Sequence, residues 1–302
     1  MSKFQVTSYH IRKRKSLTAL SGTVRIAVLA DVHNNPAAGK NRELSEQIRR
    51  WHPDAVFCCG DILTAKAGIA KTENALCLMR DLAGCYPVYY VNGNHESRIA
   101  SDPGRYGKKA VFYFEQLEAD GVRFLNNDCC LAGFGGCTVR ICGYEAPLPY
   151  YNRRNPVRLA RKDPQSILTW KPDGMDGNNG SGKDQLFTVW LAHHPDLFPA
   201  YAAAGADLVL SGHVHGGMVR LPFFGGLVGA TLKPLPPYDK GRFVIPKDPE
   251  DQRPYGRSVP RKKYGDGCTE RECEMIVSAG LGDHTIPLRV NNPTELVMLE
   301  IG

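Results

Sequence analysis

Apolar and polar positions along this chain follow two alternating periods, and the changes of period fall at carboxylates, amides and imidazoles. Val24-Arg25-Ile26-Ala27-Val28-Leu29-Ala30 is a short run rich in apolar and β-branched residues that stops at Asp31-Val32-His33-Asn34. It is too short for a membrane span and reads as a buried strand whose end presents Asp31 and His33 two positions apart. From Lys40 to Trp51, Leu44, Ile48 and Trp51 recur at spacings of four and three, which predicts a helix closed by Pro53. Ala55-Val56-Phe57-Cys58-Cys59 is a second buried strand, ending at Gly60-Asp61. Thr72 to Leu82 predicts another helix, with Leu76, Met79 and Leu82 on its core face, and Pro87 to Val91 is a third strand that ends at Gly93-Asn94-His95-Glu96. Successive strand, polar turn and helix units predict an α/β layered fold with a site along the carboxyl ends of neighbouring strands.

The pattern continues with a helix over Ala110 to Ala119 and strands over Val122 to Leu125 and Val139 to Cys142. Periodicity fails over 150–184, where Arg153, Arg154, Arg158, Arg161 and Lys162 precede a Gly/Asn-rich loop at Asp173 to Ser181. That stretch reads as a mobile insertion whose basic first half could reach over a phosphate site. Order returns with a strand over Leu186 to Ala192 that stops at His193-His194-Pro195, a short helix around Leu197 to Ala204, and a strand over Asp207 to Leu210 before Gly212-His213-Val214-His215. A second insertion, 229–268, is crowded with proline and charge between Lys233 and Lys263, which argues against a helix or a central strand. Strands over Glu274 to Ser278 and Glu295 to Leu299 return the chain to the core, so 1–302 reads as one domain with a basic amino-terminal arm and two insertions.

Composition changes this picture only slightly. With 302 residues, 42% hydrophobic and 23% charged, the chain can bury a large core, and its formal net charge of +7 favours anionic partners without saying which. Most of the ten cysteines, including Cys58-Cys59, Cys129-Cys130, Cys137 and Cys142, sit in apolar text where a reduced thiol packs as a small hydrophobe, which suggests a reducing compartment. Cys268 and Cys273 lie instead in a polar stretch, where a bridge or half of a zinc site is an open alternative. Arg12, Lys13, Arg14 and Lys15 are followed only by the short run Leu17 to Leu20, not by an export signal, and no segment approaches the roughly 20 apolar residues of a membrane span. The expectation is a cytoplasmic chain without a transmembrane segment, with peripheral membrane contact left open.

Asp31-x-His33 alone is a weak signal, since a turn-capping aspartate beside a surface histidine is common. It gains force from the strand-end motifs that follow, and six of the nine histidines, His33 included, fall inside the whole series. The ordered series Asp31-x-His33, Gly60-Asp61, Gly93-Asn94-His95-Glu96, His193 and Gly212-His213-x-His215-Gly216-Gly217 resembles the calcineurin-like metallophosphoesterase superfamily over nearly the whole chain. Ser278-Ala279-Gly280-Leu281-Gly282 followed by Pro287-Leu288-Arg289 resembles its bacterial YkuE-like branch.

That resemblance implies a four-layer α/β/β/α sandwich and two divalent or trivalent metal ions, Mn, Fe, Zn or a mixed pair. Asp31, His33 and His215 would hold the first, Asn94, His193 and His213 the second, and Asp61 would bridge them. His193 is preferred over His194 because the family places the ligand first in such a motif, which leaves His194 free to approach substrate. His95 would bind the scissile phosphate or protonate the leaving oxygen, with Glu96 orienting the imidazole. The implied reaction is attack by a metal-bridging hydroxide on a phosphomonoester, phosphodiester or pyrophosphate. Val214 and Met218 replace the threonine and glutamine the family often carries there, and Met218 bears on substrate choice more than on chemistry.

The implied partner is a phosphorylated small molecule or a lipid-linked phosphate. The apolar patch Leu221 to Val228 could form an acyl-binding wall, although core packing is the preferred reading. Nucleic acid is not favoured, because no long stretch interleaves aromatic and basic residues; Tyr150, Tyr151, Arg153 and Arg154 come closest. A non-catalytic binding scaffold is disfavoured because every expected ligand position is filled. Neither a dinucleotide fingerprint nor a P-loop is present.

Overall fold

The apolar runs at Val24–Leu29 and Ala55–Cys59 lie side by side, in parallel, at the centre of a six-stranded sheet. The computed structural model describes residues 4–12, 22–34, 41–151, 186–217, 219–221, 225–227, 236–248, 269, 271–282 and 289–302. The first sheet is ordered β1 (Gln5–Ile11), β16 (Glu295–Ile301), β2 (Val24–Leu29), β3 (Ala55–Cys59), β6 (Val88–Val91) and β7 (Arg123–Phe124). The second is ordered β14 (Gly241–Pro246), β15 (Glu272–Val277), β11 (Leu208–Ser211), β10 (Phe187–Ala192), β9 (Cys137–Tyr144) and β8 (Asp128–Phe134). In each sheet the inner strands are covered on both faces, which is why they read as continuous apolar runs rather than alternating ones.

The faces of the two sheets meet in one core, where Ile26, Val28 and Phe57 pack with Val139, Val189 and Leu210. On the outer face of the first sheet lie α1 (Asn41–Trp51), α2 (Glu73–Ala83) and α5 (Lys108–Ala119), which bury Leu44, Ile48, Met79 and Leu117. The short α6 (Phe198–Ala203) places Phe198 and Tyr201 over Trp190 on the outer face of the second sheet. The order helix, sheet, sheet, helix is the expected four-layer α/β/β/α sandwich. Burying a large apolar side chain contributes roughly 1.5–3 kcal/mol, so these three clusters hold the strand ends in fixed register.

Several elements differ from the expectation. The core stripe of α2 is Ala75, Leu78, Met79 and Leu82, and Leu76 is only half-buried. The amino-terminal stretch holds an edge strand, β1, paired in parallel with β16, while residues 13–21 lie outside the described structure. Within 229–268, Gly241–Pro246 is not irregular: it forms the outer strand β14, where a terminal proline is tolerated because the free edge needs no donor. Residues 152–185, including the Asp173 to Ser181 loop, lie outside the described residues, as do 249–268.

Cys129 and Cys142 are not the reduced thiols expected. They stand directly opposite each other on β8 and β9 and are joined in a disulfide, whereas Cys58, Cys59, Cys77, Cys85, Cys130 and Cys137 are free. The register of an antiparallel pair brings opposed Cβ atoms within bonding range, and spacing along the chain does not reveal it. Cys273 is buried in β15 and Cys268 lies outside the described residues.

Candidate metal centre

Five strands of the two sheets end on the same rim, and the polar turns leaving them carry the residues picked out by the sequence. Asp31 and His33 follow β2, Asp61 follows β3, and His193 follows β10. His213 and His215 follow β11, while Asn94, His95 and Glu96 form the first turn of α3 (Asn94–Ser101) after β6. Asp31, His33, Asp61, His213 and His215 all have positive φ, between 50° and 71°. Five ligand-type side chains in a sparsely populated backbone region mark strain stored at a functional site. Glycines make room for the turns: a Cβ on Gly212 would come within 2.6 Å of Asp31 Oδ2, and one on Gly280 within 2.6 Å of Asp31 Cβ.

The side chains converge in three overlapping groups, the third of them His33, Asp61 and His95. Asp31, His33 and His215 place one donor atom each within 4.8 Å of one another, and so do Asp61, His193 and His213. In the first, His33 Nε2 is 3.0 Å from His215 Nε2 with the rings stacked, and Asp31 Oδ1 is 3.4 Å from His215 Nε2 and 3.8 Å from His33 Nε2. In the second, Asp61 Oδ2 is 3.1 Å from His193 Nε2. Asp61 Oδ2 also lies 4.0 Å from His33 Nε2, so its carboxylate faces both groups. The Asn94 amide lies 3.1 Å from His213 Nδ1, and with its nitrogen turned to that ring it donates there while its oxygen accepts from the Arg98 guanidinium at 3.2 Å.

A cation fits this donor set. Asp31 Oδ1 is buried and accepts no hydrogen bond among the described residues, yet it faces imidazole nitrogens. Burial, with Asp61 adding to it, pushes the Asp31 carboxyl up to about 7 despite the opposing pull of His193. Burial alone would lower His193, but Asp61 and Asp31 outweigh it and raise its pKa to about 9. Protons therefore take the place that cations fill in such a site, and binding a cation would release them. Mixed carboxylate oxygen and imidazole nitrogen suits Mn, Fe or Zn.

The residues behind the donors fix their tautomers and angles. His193 Nδ1 donates to the Cys59 carbonyl at 2.7 Å, which leaves Nε2 aimed inward. The His213 N–H donates to Asp31 Oδ2 and the His95 N–H to Asp61 Oδ1, so each carboxylate is held by a neighbouring turn. Asn292 donates to the carbonyls of His215 and Gly217, and Arg289 donates to that of Ala279 with its guanidinium 3.3 Å from His215 Nδ1. Neither residue was given a role from sequence. The tail motif ending in Arg289 was the one signal that could have flagged it.

Glu96 does not orient His95. Its buried carboxylate accepts the N–H groups of Asp61, Ile62, Leu63 and Gly93 and the Tyr90 hydroxyl. Burial and then Asp61 push its pKa up to about 7. Glu96 is thus the anchor of the Asp61 turn. What holds His95 is the hairpin β4 (Thr64–Lys66) and β5 (Ile69–Lys71), whose Ala65 N–H donates to His95 Nδ1 at 2.7 Å. Glu96→Ala strands several buried donors at ~1–3 kcal/mol each, so unfolding stability should fall by about 3 kcal/mol or more, with metal affinity falling too. Denaturant unfolding and metal content check this; an unchanged midpoint would show that the turn does not depend on Glu96.

His194 lies beside the second group without entering it, its ring 5.2 Å from that of His213. Tyr151, in a 3-10 turn at Leu148–Tyr151, packs its ring 5.0 Å from His194 and 4.9 Å from His213. It is only 8% exposed, so it offers no stacking platform for a nucleic acid base, and Arg153 and Arg154 lie outside the described residues. In the apolar patch after the last histidine motif, Leu221 of β12 (Arg220–Leu221) is 43% exposed, Gly225 and Gly226 of β13 are buried, and residues 222–224, 228 and Met218 lie outside the described residues. The core packing preferred for that patch does not hold for Leu221.

Comparison with known proteins agrees with this geometry. The chain is 24% identical over 254 residues to the metallophosphoesterase YkuE of Bacillus subtilis, covering 84% of this chain and 70% of that one. It is 25% identical over 288 residues to a metallophosphoesterase of Helicobacter pylori, covering 94% of this chain and 61% of that one. Among solved structures, a phosphopantetheinyl hydrolase from Mycobacterium tuberculosis aligns with 82% of this chain and 100% of its own at a TM-score of 0.40 and 14% identity. No helix among the described residues is long and apolar enough to cross a membrane. The calcineurin-like phosphoesterase profile matches residues 24–217, the span from the first central strand to the turn after His215. With strand-end carboxylates and imidazoles gathered on one rim over that span, the chain belongs to the calcineurin-like phosphoesterases, a family of metal-dependent phosphoester hydrolases.

Proposed function

We propose that this chain hydrolyses a phosphomonoester, phosphodiester or pyrophosphate bond at a binuclear metal centre. The observation that carries the reading is the pair of three-donor groups, Asp31/His33/His215 and Asp61/His193/His213, with Asp61 facing both. Asp31, His33 and His215 would hold one cation and Asn94, His193 and His213 the other, with Asp61 between them. When bound, two such ions supply Lewis acidity toward phosphoryl oxygens and a water nucleophile at neutral pH.

The chain's own residues do the rest. His95, with Nδ1 occupied by the Ala65 N–H, carries its proton on Nε2 and presents it at the Asp61 side of the centre, 3.9 Å from Asp61 Oδ2. From there it donates to an oxygen of the scissile phosphoryl group and stabilises the charge that builds up there. Burial lowers the His95 pKa, which keeps this neutral donor form populated. The uncharged Asn94 amide serves as a ligand without adding negative charge where a phosphate must approach. The phosphorylated substrate, a small metabolite or a lipid-linked phosphate, is recognised first by its phosphoryl group.

Metal-reconstituted protein should approach two ions per chain by elemental analysis and turn over at least one member of a monoester, diester and pyrophosphate panel. Saturable binding of a single ion with full activity would overturn the binuclear reading, and no turnover across the panel would overturn the hydrolase reading.

A further inference from the structure

Tyr151 presents a buried hydroxyl that the fold does not use. Its oxygen is covered by surrounding atoms, and among the described residues it makes no hydrogen bond. Such a group costs about 1–3 kcal/mol to bury, and phenylalanine would fill the same space without that cost. The ring is held in place from several sides. The chain leaving β9 is tied to α3 by Ser97 Oγ, which donates to Glu145 Oε1, and the turn carrying Tyr151 packs on that same helix. On its other side the ring meets His213 edge-on at 4.9 Å, His194 at 5.0 Å and His193 at 6.0 Å. The phenol ring therefore packs beside the imidazoles of His193, His194 and His213.

At neutral pH a phenol is protonated, since its ordinary pKa is about 10, so the hydroxyl has a proton to give. What it lacks among the described residues is an acceptor, and the site beside it is one that would take phosphoryl oxygens, the acceptors for which a charge-assisted O–H bond is strongest. We infer that the Tyr151 hydroxyl binds substrate directly, donating a hydrogen bond to a non-bridging phosphoryl oxygen held on the Asn94/His193/His213 side of the centre. This rests on the phosphoesterase reading and adds to it a binding residue that no metal-ligand motif contains. Together with His95 it would give the phosphoryl group two neutral donors, which orient the group without displacing the ions.

The test is Tyr151→Phe, which removes one oxygen and preserves the ring. Metal-loaded wild type and Y151F would be compared by calorimetric binding of inorganic phosphate, by its competitive inhibition constant, by KM and kcat, by metal content and by melting temperature. Loss of one hydrogen bond to a charged acceptor should weaken phosphate binding and raise KM by about tenfold, with kcat changed less, metal content kept and the melting temperature unchanged or raised. Phosphate affinity within about twofold of wild type would overturn the inference. So would a lower melting temperature, which would place the hydroxyl in the structure, or a visible charge-transfer band on ferric loading that Y151F lacks, which would make Tyr151 a metal ligand. If wild type itself neither binds phosphate nor turns over any phosphoester, the phosphoesterase reading fails and this inference fails with it. If wild type does both and Y151F matches it, the Tyr151 inference alone is wrong.

Discussion

Asp61→Asn removes one charge from the point where the two donor groups meet, and it is expected to weaken metal binding in both and nearly abolish turnover. The substitution is close to isosteric, and the amide oxygen can still accept the His95 N–H now bound by Asp61 Oδ1. The Asp61 backbone N–H, held by Glu96 Oε2 at 2.8 Å, is untouched, so the turn should keep its shape. What changes is the charge on Oδ2, which faces His193 at 3.1 Å, His95 at 3.9 Å and His33 at 4.0 Å. Losing the anionic ligand proposed to be shared should lower kcat/KM on the order of 10³-fold or more, roughly 4 kcal/mol of transition-state stabilisation. Asp31→Asn is the matched control. Its Oδ1 lies nearest His215, at 3.4 Å, so the first group should lose its ion before the second does. Elemental analysis and steady-state kinetics on both variants decide the matter. Near wild-type rate and two retained ions in D61N, or equal losses of both ions in D31N, would reassign the bridge.

His95→Ala is expected to keep both ions and lower kcat/KM by about 10²-fold to 10⁴-fold, with similar losses on a nitrophenyl ester and on an alkyl ester. Similar losses follow from the hydrogen bond at Nδ1. An imidazole that accepts the Ala65 N–H there carries its proton on Nε2, and giving that proton away would leave an imidazolate. Hydrogen-bond donation to phosphoryl oxygens needs no proton transfer and is blind to the leaving group. A general acid would matter far more for a departing alkoxide than for a nitrophenolate. A markedly larger loss on the alkyl ester would therefore show that His95 protonates the leaving group and that the Ala65 contact breaks during the reaction. Because alanine also strands the Ala65 N–H, at about 1–3 kcal/mol, His95→Asn serves as the second variant: its amide oxygen can replace Nδ1 as the acceptor while Nε2 is lost. If H95N and H95A lose activity equally and H95N alone keeps wild-type stability, the effect belongs to Nε2. Loss of an ion from either variant would make His95 a ligand.

The sequence by itself determined the inner strands, the helices packed on them and the chemistry at the strand ends. Strands such as Val24–Leu29 and Phe187–Ala192 are covered on both faces, so burial writes them as unbroken apolar runs. The donors after them are residue types that are costly to bury without a partner, which made the strand-end motifs stand out in order, and the resemblance to the metallophosphoesterases singled out Asp31, His33, Asp61, Asn94, His193, His213 and His215 among them. Two of the edge strands leave no such record. Gln5–Ile11 has one face exposed along most of its length, and Gly241–Pro246 is masked by proline and charge.

Contacts between turns far apart in the chain were decided by tertiary structure alone. Glu96 closes on the backbone of residues 61 to 63 instead of on its neighbour His95, because an acceptor-only carboxylate surrounded by converging N–H groups is best satisfied there. The tautomer of His95 is set by Ala65, 30 residues away, and the pairing of Cys129 with Cys142 by the register of β8 on β9. Tyr151 owes its place over His194 and His213 to the packing of its turn against α3, which no local pattern encodes. Periodicity reports how each segment meets solvent and core, but which polar groups meet across the rim depends on how two sheets are laid face to face, and that is a property of the folded chain.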